Sequence, residues 1–216
     1  MKGYKLQLIR HGMTDANTEG RYIGITDVPL SAEGVKSIYE KRENSFYPPV
    51  QKVYTSPLKR CRQTADILFN GAYTVDLGLL AEMDFGDFEN KTPEQLSGDP
   101  AYAKWLEGGL DNPPPKGESA RDVVNRCYEA LNIIISDMMY EGFTSAAVVT
   151  HGGIIMDMLS CFGLPKLPPA DCRCDFGEGF EIMVTAAMWQ RSGAFEILGL
   201  LPYVEQEDED KEEDQD

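Results

Sequence analysis

The chain has 216 residues, of which 42% are hydrophobic and 26% are charged, a balance typical of one globular domain with a sizeable core. Its formal net charge of −16 argues against nucleic acid as a partner, because phosphate backbones are bound through a surplus of Lys and Arg. No apolar run has the length of a membrane span and residues 1–5 leave no room for a secretory leader, so we expect a cytoplasmic protein without a membrane partner.

Half of the net negative charge lies at the carboxyl end of the chain. Residues 205–216 hold nine acidic residues and a single lysine, which gives this segment a net charge of −8. A block of like charge predicts a disordered, solvated tail, with partner binding as the less favoured alternative. We therefore assign the folded domain to residues 1–204 and expect no catalytic part for the tail.

The five cysteines are scattered along the chain, and their odd number favours reduced thiols over a disulfide framework. Cys172 and Cys174 form a Cys-x-Cys pair that could be half of a metal site, but no second pair lies nearby in the sequence. Free thiols in a loop are the favoured interpretation. The two histidines do not complete an ordinary zinc site either, so we expect no metal.

The first third of the chain alternates between predicted strands and helices. In chain order these segments are a buried strand ending at residue 9, a polar loop over 10–14, a long ordered loop over 15–29, a helix ending near 44, a strand over 52–55 and a helix over 57–69. Ser31 is a good N-cap for the first of these helices. Ser56 and Pro57 have the pattern of an N-cap followed by the first helical residue, and they predict the start of the second helix.

The alternation continues to the end of the predicted domain. The remaining segments are a short edge strand at 73–75, an insertion over 82–116 that covers the site and contains a helix near 101–107, a long helix over 118–140, a strand over 145–150, a helix over 154–161 and two strands near 181–189 and 194–200. Gly142 is expected to end the long helix. The last two strands are too closely spaced for a helical crossover, which predicts that they are antiparallel to each other.

This order of elements predicts an α/β fold, a three-layer α/β/α sandwich with a mainly parallel sheet and an antiparallel edge. The only two histidines, His11 and His151, each follow an apolar strand and precede glycine. In such sheets ligands bind in the crevice at the carboxyl ends of the strands. The pattern therefore predicts one site that contains both histidines.

Several segments of the sequence resemble motifs of the histidine phosphatase (phosphoglycerate mutase-like) superfamily. They occur in the order Arg10-His11-Gly12-Met13-Thr14, Thr55-Ser56-Pro57-Leu58-Lys59-Arg60, Glu82-Met83-Asp84-Phe85-Gly86-Asp87-Phe88-Glu89, Gly117-Glu118-Ser119 and Thr150-His151-Gly152-Gly153. One such motif alone is only moderately specific. The motifs together occur in this order over most of the chain, which makes the resemblance specific. The resemblance implies the same α/β/α architecture and a reaction that transfers a phosphoryl group.

The resemblance implies five catalytic residues. His11 would be the nucleophile, with its second ring nitrogen held by a backbone carbonyl, and Arg10, Arg60 and a protonated His151 would counter the charge of the phosphate. Glu82 would be the general acid, and its apolar neighbours are compatible with the raised pKa that this role needs. Without the resemblance, Arg60 and Glu82 would be interpreted as surface charges. For the histidines the alternative is a structural role, but two strand ends of this kind beside glycine, one with Arg10 adjacent, favour the catalytic interpretation.

The expected substrate-binding groups overlap with this catalytic set. They are Arg10, Asn17, Gly24, Arg60 and Gly152, and Arg21 is a further residue of the 15–29 loop that could face a ligand. Arg60 is preferred over the neighbouring Arg62 because it occupies the arginine position of the Ser-x-Leu-x-Arg pattern.

The sequence also departs from the family pattern. Met13 stands where many relatives carry Glu or Gln, and Asn90 stands where Gly is frequent, although Asn tolerates the positive φ of such a turn. No adjacent arginine pair resembling that of the cofactor-dependent mutases lies between Glu82 and His151. We therefore expect a metal-independent phosphomonoester hydrolase that resembles the α-ribazole phosphatase and broad-specificity branch, needs no cofactor and acts on a small phosphorylated metabolite. The alternatives are a cofactor-dependent phosphoglycerate mutase and a catalytically silent phospholigand-binding protein.

Overall fold

A computed structural model of the chain describes residues 2–203. The predicted acidic tail at 205–216 lies outside this range. The strands of the described part are β1 (Gly3–Arg10), β2 (Lys52–Thr55), β3 (Thr74–Asp76), β4 (Ser145–Thr150), β5 (Gly163–Leu164), β6 (Gly179–Thr185) and β7 (Phe195–Leu201). The helices are α1 (Asp15–Thr18), α2 (Ala32–Asn44), α3 (Lys59–Leu68), α4 (Pro93–Leu96), α5 (Pro100–Leu106), α6 (Ala120–Glu141), α7 (Gly152–Phe162) and α8 (Ala186–Ser192).

The strands form one seven-stranded sheet in the order β3-β2-β4-β1-β6-β7-β5. The pairs β2/β3, β2/β4, β1/β4 and β5/β7 are parallel, whereas β6 is antiparallel to both β1 and β7. The predicted mainly parallel sheet and the antiparallel arrangement of the last two long strands are thus confirmed. The reversed strand is not the outermost one, because β7 and the unpredicted two-residue strand β5 extend the sheet beyond it.

Helices cover both faces of the sheet, as the three-layer prediction requires. Successive residues of a strand point to opposite faces, and in β4 Val148 belongs to the core under α6 and α7, whereas Val149 belongs to the core under α2 and α3. Both side chains are fully buried. A strand that is apolar on both faces is typical of a central parallel strand covered by helices on each side.

Local capping sets the ends of the long helices. The Ser31 hydroxyl accepts a hydrogen bond from Gly34 N (2.9 Å), which confirms the predicted N-cap of α2. In α6 the cap is Ser119, which forms a capping box with Asp122, so this helix begins two residues later than predicted. Gly142 ends α6 with a φ of 83°, a left-handed conformation that glycine adopts without a Cβ penalty.

Three local predictions were wrong. The start of α3 is Lys59, with Leu58 at the N-cap, so Ser56 and Pro57 precede the helix. The 15–29 loop contains the short helix α1, which a capping box at Thr14 begins. The strand predicted to reach residue 189 ends at Thr185, whose hydroxyl accepts a bond from Met188 N (3.2 Å) and starts α8 in a segment rich in good helix formers.

The segment 82–116 has its own small apolar cluster. Phe88, Leu96 and Tyr102 are buried in it, and Trp105 packs on them with a ring-centroid distance of 5.6 Å to Phe88. The predicted helix near 101–107 is α5, while α4 was not predicted. Asn90 has a φ of 63°, as expected for a turn residue that replaces glycine.

Within residues 2–203, none of the helices combines the length and the apolar character that a membrane crossing requires. All five cysteines have free thiols, and Cys61, Cys127 and Cys172 are buried.

Candidate active site

The two histidines lie side by side because the strands before them are neighbours. β1 and β4 pair in parallel with Arg10 opposite Thr150, so the residues that follow leave the sheet at the same edge. The backbone N–H of His11 donates to Thr150 O (2.9 Å), and the rings of His11 and His151 meet edge to face with centroids 5.1 Å apart. The structure thus brings the two histidines into one place, as their sequence positions indicate.

The His11 ring is held by its own loop. Nδ1 lies 2.6 Å from the carbonyl oxygen of Gly12, so this nitrogen carries the proton and a neutral ring keeps its lone pair on Nε2. The loop is fixed in turn, because Gly12 N donates to the Thr64 hydroxyl (2.9 Å). Burial lowers the pKa of His11 to about 3, and the positive charge of Arg60 acts in the same direction. His11 is therefore neutral at physiological pH.

Arg10 is the last residue of β1 and directly precedes His11. Its Nη1 donates to Cys174 O (2.8 Å), and its guanidinium carbon lies 4.0 Å from the centroid of the Phe176 ring. The buried Nε has no hydrogen-bond partner among the described residues. A Cβ on Gly152 would come within 3.2 Å of this Nε, so glycine at 152 keeps the space beside the guanidinium open. An unpaired buried N–H of this kind is suited to an anionic oxygen.

Arg60 is almost completely buried, with 1% of its surface exposed. Its Nη1 and Nη2 donate to the carbonyls of Thr26 (2.9 Å) and Gly24 (2.7 Å), and its Nε donates to His151 Nδ1 (3.3 Å). Arg62, in contrast, is exposed and forms a surface ion pair with Asp76. The geometry supports the preference for Arg60 over its neighbour.

His151 has a defined tautomer in this arrangement. Because Nδ1 accepts a hydrogen bond from Arg60, the ring proton is on Nε2, which lies 2.9 Å from the Ser56 hydroxyl. Burial lowers the pKa of His151 well below its ordinary value, with further contributions from His11 and Arg60. His151 is therefore neutral in this arrangement, and its expected protonation beside a phosphate dianion stays a prediction. The Ser56 hydroxyl, which was predicted to cap α3, lies at His151 instead and also accepts from Leu58 N (3.4 Å), the residue before the helix.

Glu82 lies next to the amino-terminal end of α7. Its Oε1 accepts from Met83 N (2.9 Å) and its Oε2 from Gly153 N (3.3 Å). Burial raises the pKa of Glu82 and outweighs these two hydrogen bonds, which favour the ionised form. The preceding residues are tied to β4, because the Thr150 hydroxyl donates to Leu80 O (2.7 Å). A carboxyl group with a raised pKa at this place can supply a proton.

Two of the expected substrate-binding groups have other partners. The side-chain oxygen of Asn17 accepts from Thr14 N (3.0 Å) and the Thr14 hydroxyl (2.9 Å), so only its amide nitrogen is available to a ligand. Gly24 donates its N–H to Glu89 Oε1 (3.0 Å) and accepts from Arg60. Both backbone polar groups of Gly24 are thus engaged within the protein, where its carbonyl holds Arg60, and its expected part in substrate binding stays a prediction. Arg21 pairs with Glu19 and is likewise engaged elsewhere.

Glu89 is a site residue to which sequence reasoning gave no role. Its carboxylate accepts from the amides of Gly24 (3.0 Å), Ile25 (3.2 Å) and Thr26 (3.3 Å) and so gathers the loop that carries the carbonyl partners of Arg60. A Cβ at Gly24 would come within 1.8 Å of the Met83 carbonyl oxygen and 2.4 Å of Glu89 Oε1, which explains why this position is glycine. The one signal in the sequence is that Glu89 follows an aromatic residue, Phe88, at the end of the family-like segment 82–89.

The loop after β5 was also missed. Phe176 packs against both Arg10 and His11, with ring centroids of Phe176 and His11 6.0 Å apart. The loop forms one wall of a groove of about 510 Å³ whose lining residues are Arg10, Gly152, Gly153, Met156, Arg173, Cys174, Asp175, Glu178 and Leu200. Cys174 contributes its carbonyl oxygen, and no group of three or more His, Cys, Asp and Glu residues suited to a metal occurs within residues 2–203.

Comparison with known proteins connects this geometry to a family. Residues 6–174 match the model of the histidine phosphatase superfamily (branch 1). The adenosylcobalamin/alpha-ribazole phosphatase of Salmonella typhimurium is 28% identical over 204 residues, which cover 86% of this chain and 98% of that protein. A Klebsiella pneumoniae (strain 342) protein named "Probable phosphoglycerate mutase GpmB" is 30% identical over 166 residues, 74% of this chain and 76% of its own length.

Solved structures agree with the sequence comparison. The alpha-ribazole phosphatase of Shigella flexneri has the same fold, with a TM-score of 0.77 at 24% identity over 94% of this chain and 99% of that one. Bacillus stearothermophilus YhfR gives a TM-score of 0.74 at 26% identity and covers 90% of this chain and 95% of its own. The predicted resemblance is confirmed, and the chain belongs to the histidine phosphatase superfamily, branch 1.

Proposed function

We propose that the protein is a phosphomonoester hydrolase that forms a phosphohistidine at His11. The single observation that carries this proposal is the 2.6 Å contact between His11 Nδ1 and the Gly12 carbonyl. It holds the proton on Nδ1 and leaves Nε2 as a neutral nucleophile, and the lowered pKa of His11 keeps the ring unprotonated. In the first step Nε2 attacks phosphorus, and the bond from phosphorus to the ester oxygen breaks.

Positive groups around the histidine support phosphate binding. Arg10 offers its unpaired buried Nε, and Arg60, which is bonded to His151, adds a positive charge that also acts on His11. Charge-assisted bonds from such donors stabilise the equatorial oxygens of the transferred group. A phosphate dianion next to His151 would raise the pKa of that imidazole, so the neutral ring of this structure can take up a proton when the substrate binds.

Glu82 is proposed as the acid of the first step and the base of the second. As the ester bond breaks, the protonated carboxyl gives its proton to the departing alkoxide. The resulting carboxylate then takes a proton from water, which attacks phosphorus and releases inorganic phosphate and free His11. The raised pKa of Glu82 supports this use, because the acid must be protonated when the alkoxide leaves.

The substrate is proposed to be a small phosphorylated metabolite. A relative named for alpha-ribazole phosphatase activity matches over 98% of its length, which makes alpha-ribazole phosphate one member of this class to test. A mutase is the second candidate, because a relative with a mutase name is 30% identical. The lack of an adjacent arginine pair between Glu82 and His151 in the sequence favours hydrolysis. Free thiols at all five cysteines support a cytoplasmic location.

A turnover screen tests this proposal. Phosphorylated metabolites are incubated with the protein with and without 2,3-bisphosphoglycerate, and both inorganic phosphate and isomerised ester are measured. We expect phosphate release that does not need the bisphosphate and survives exhaustive chelation. Isomerisation that depends on the bisphosphate would support the mutase, activity restored only by added zinc or magnesium would contradict metal independence, and binding without turnover of any ester would support a silent binding protein.

A further inference from the structure

The backbone before Glu82 is held by an arginine of helix α6. Arg126 Nη1 donates to two carbonyl oxygens, those of Leu79 (2.8 Å) and Ala81 (2.6 Å). Ala81 directly precedes Glu82, so one guanidinium nitrogen fixes the peptide that leads into the proposed acid. This contact lies outside the phosphate-binding groups described above.

The backbone after Glu82 is held by the partner of that arginine. Glu118 and Arg126 form a two-pronged ion pair. Arg126 Nε donates to Glu118 Oε1 (2.9 Å), and Arg126 Nη2 donates to Glu118 Oε2 (3.0 Å). The same Oε2 accepts from Asp84 N (3.0 Å), and Glu118 N donates to Asp84 O (2.9 Å). Both sides of Glu82 are therefore attached to one ion pair, which we call the Arg126–Glu118 clamp.

The two side chains of the Arg126–Glu118 clamp are more buried than those of a nearby ion pair. The Arg126 side chain is 13% exposed and that of Glu118 is 28% exposed, whereas the Arg121–Asp111 pair of the same helix region is 53% and 70% exposed. Two-pronged Arg–carboxylate bonds add geometric specificity, and they are stronger than neutral hydrogen bonds. Exposed pairs contribute little, so Arg121 is a matched control for Arg126.

Glu82 depends on its backbone for its position. Among the residues that the structure describes, its carboxylate has only two amide contacts, and one of them, from Gly153 N, is long at 3.3 Å. The positive charge of Arg126 acts to lower the pKa of Glu82, which works against a proton donor. Any benefit of Arg126 to the acid must therefore come from placement and not from charge.

We propose that Arg126 is a positioning residue for the first reaction step. Through its bonds to Leu79, Ala81 and Glu118, Arg126 places the Glu82 carboxyl next to the leaving oxygen. This inference rests on the proposed function. None of the clamp's hydrogen bonds reaches His11, Arg10 or Arg60, so its loss should affect esters in proportion to their need for a proton on the leaving group.

The test compares two esters by single-turnover phosphorylation of the full-length protein. An alkyl phosphate leaves as a strongly basic alkoxide, whereas p-nitrophenyl phosphate leaves as a stable phenolate. Arg126→Gln and Arg126→Lys should each slow the alkyl ester by about 10- to 10²-fold, the usual result of misplacing a reacting group by an ångström. The aryl ester should change little, because the phenolate does not need the proton. Lys retains the charge but cannot make the branched contacts, so it should not restore the rate.

A double substitution separates positioning from a general loss of structure. In a Glu82→Gln background, Arg126→Gln should have almost no further effect on the alkyl ester, because the group that it places is already absent. Arg121→Gln should leave both esters unchanged. Equal losses for the two esters, or an Arg126→Gln loss that adds in full to that of Glu82→Gln, would overturn the proposal. If the unsubstituted protein forms no phosphohistidine from either ester, the proposed function fails instead.

Discussion

Arg60 and His151 are joined by a hydrogen bond of 3.3 Å from the guanidinium Nε to the imidazole Nδ1. The contact fixes the His151 tautomer and directs its Nε2–H to the Ser56 hydroxyl (2.9 Å). Arg60 is itself held by the carbonyls of Gly24 and Thr26, whose amides are bound by Glu89. The site therefore depends on a continuous hydrogen-bonded chain from Glu89 to His151.

The first prediction follows from the position of Glu89 in this chain. Glu89→Ala would leave the amides of the 24–26 loop without their acceptor and should lower the free energy of unfolding by about 1–3 kcal/mol. It should also reduce kcat/KM by about 10- to 10²-fold, because the carbonyls that orient Arg60 would move. Denaturant midpoints and steady-state rates measure the two effects. Glu107→Ala, at an exposed glutamate of the same segment, is the control, and an equal effect of both substitutions would contradict this role for Glu89.

The sequence could predict the elements whose local signals agree with the fold. The two strand ends at His11 and His151 were predicted because an apolar run followed by His and Gly is a local pattern. The parallel pairing of β1 and β4 then places these two ends side by side. The strand predicted up to residue 189 was wrong because its apolar residues fit both the two-residue period of a strand and the 3.6-residue period of a helix. The Thr185 side chain caps a helix, α8, which begins at the next residue.

The missed site residues are ones whose roles arise only from tertiary contacts. Phe176 lies in a loop without periodicity, and nothing near it in the sequence indicates that its ring packs 4.0 Å from the Arg10 guanidinium carbon. Glu89 and Arg126 look like surface charges in a sequence with 26% charged residues. Their partners in the 24–26 loop and in the backbone before Glu82 are 45 to 65 positions away in the chain, a spacing that no local pattern encodes.

The second prediction concerns stability at low pH. The pKa of His11 is about 3 in the folded protein and 6.5 in its ordinary state, so between these values the unfolded chain binds more protons than the folded one. The free energy of unfolding should therefore fall as the pH is lowered from 6.5 towards 3. Protonation of one such group contributes a slope of up to about 1.4 kcal/mol per pH unit.

His11→Asn tests this assignment, because it removes one histidine and leaves every carboxylate in place. Urea unfolding at a series of pH values from about 7 to about 4 should show a shallower decline for the variant. His151, whose pKa is also lowered by burial, should account for part of the slope that remains. Identical slopes for the two proteins would show that His11 is not held neutral by the fold.

The third prediction tests the proton donor. Glu82→Gln should slow single-turnover phosphorylation by an alkyl phosphate by about 10² to 10⁴, the usual range for a positioned acid or base. The aryl ester should lose much less, because its leaving group is stable without a proton. Single-turnover rates are needed since Glu82 is also the proposed base of the second step. Asp87→Asn, at an exposed carboxylate paired with Lys116, is the control, and equal losses for both esters would remove Glu82 from the acid role.

The central claim is that phosphate is transferred to His11, and trapping of the phosphoenzyme tests it most directly. The protein is exposed briefly to an ester labelled in its phosphoryl group, quenched, and examined for bound label. The account predicts a phosphate that is labile in acid, stable in alkali and located at His11, and it predicts no bound label in His11→Ala. Label that persists in His11→Ala, or turnover by the unsubstituted protein without any phosphohistidine, would contradict it.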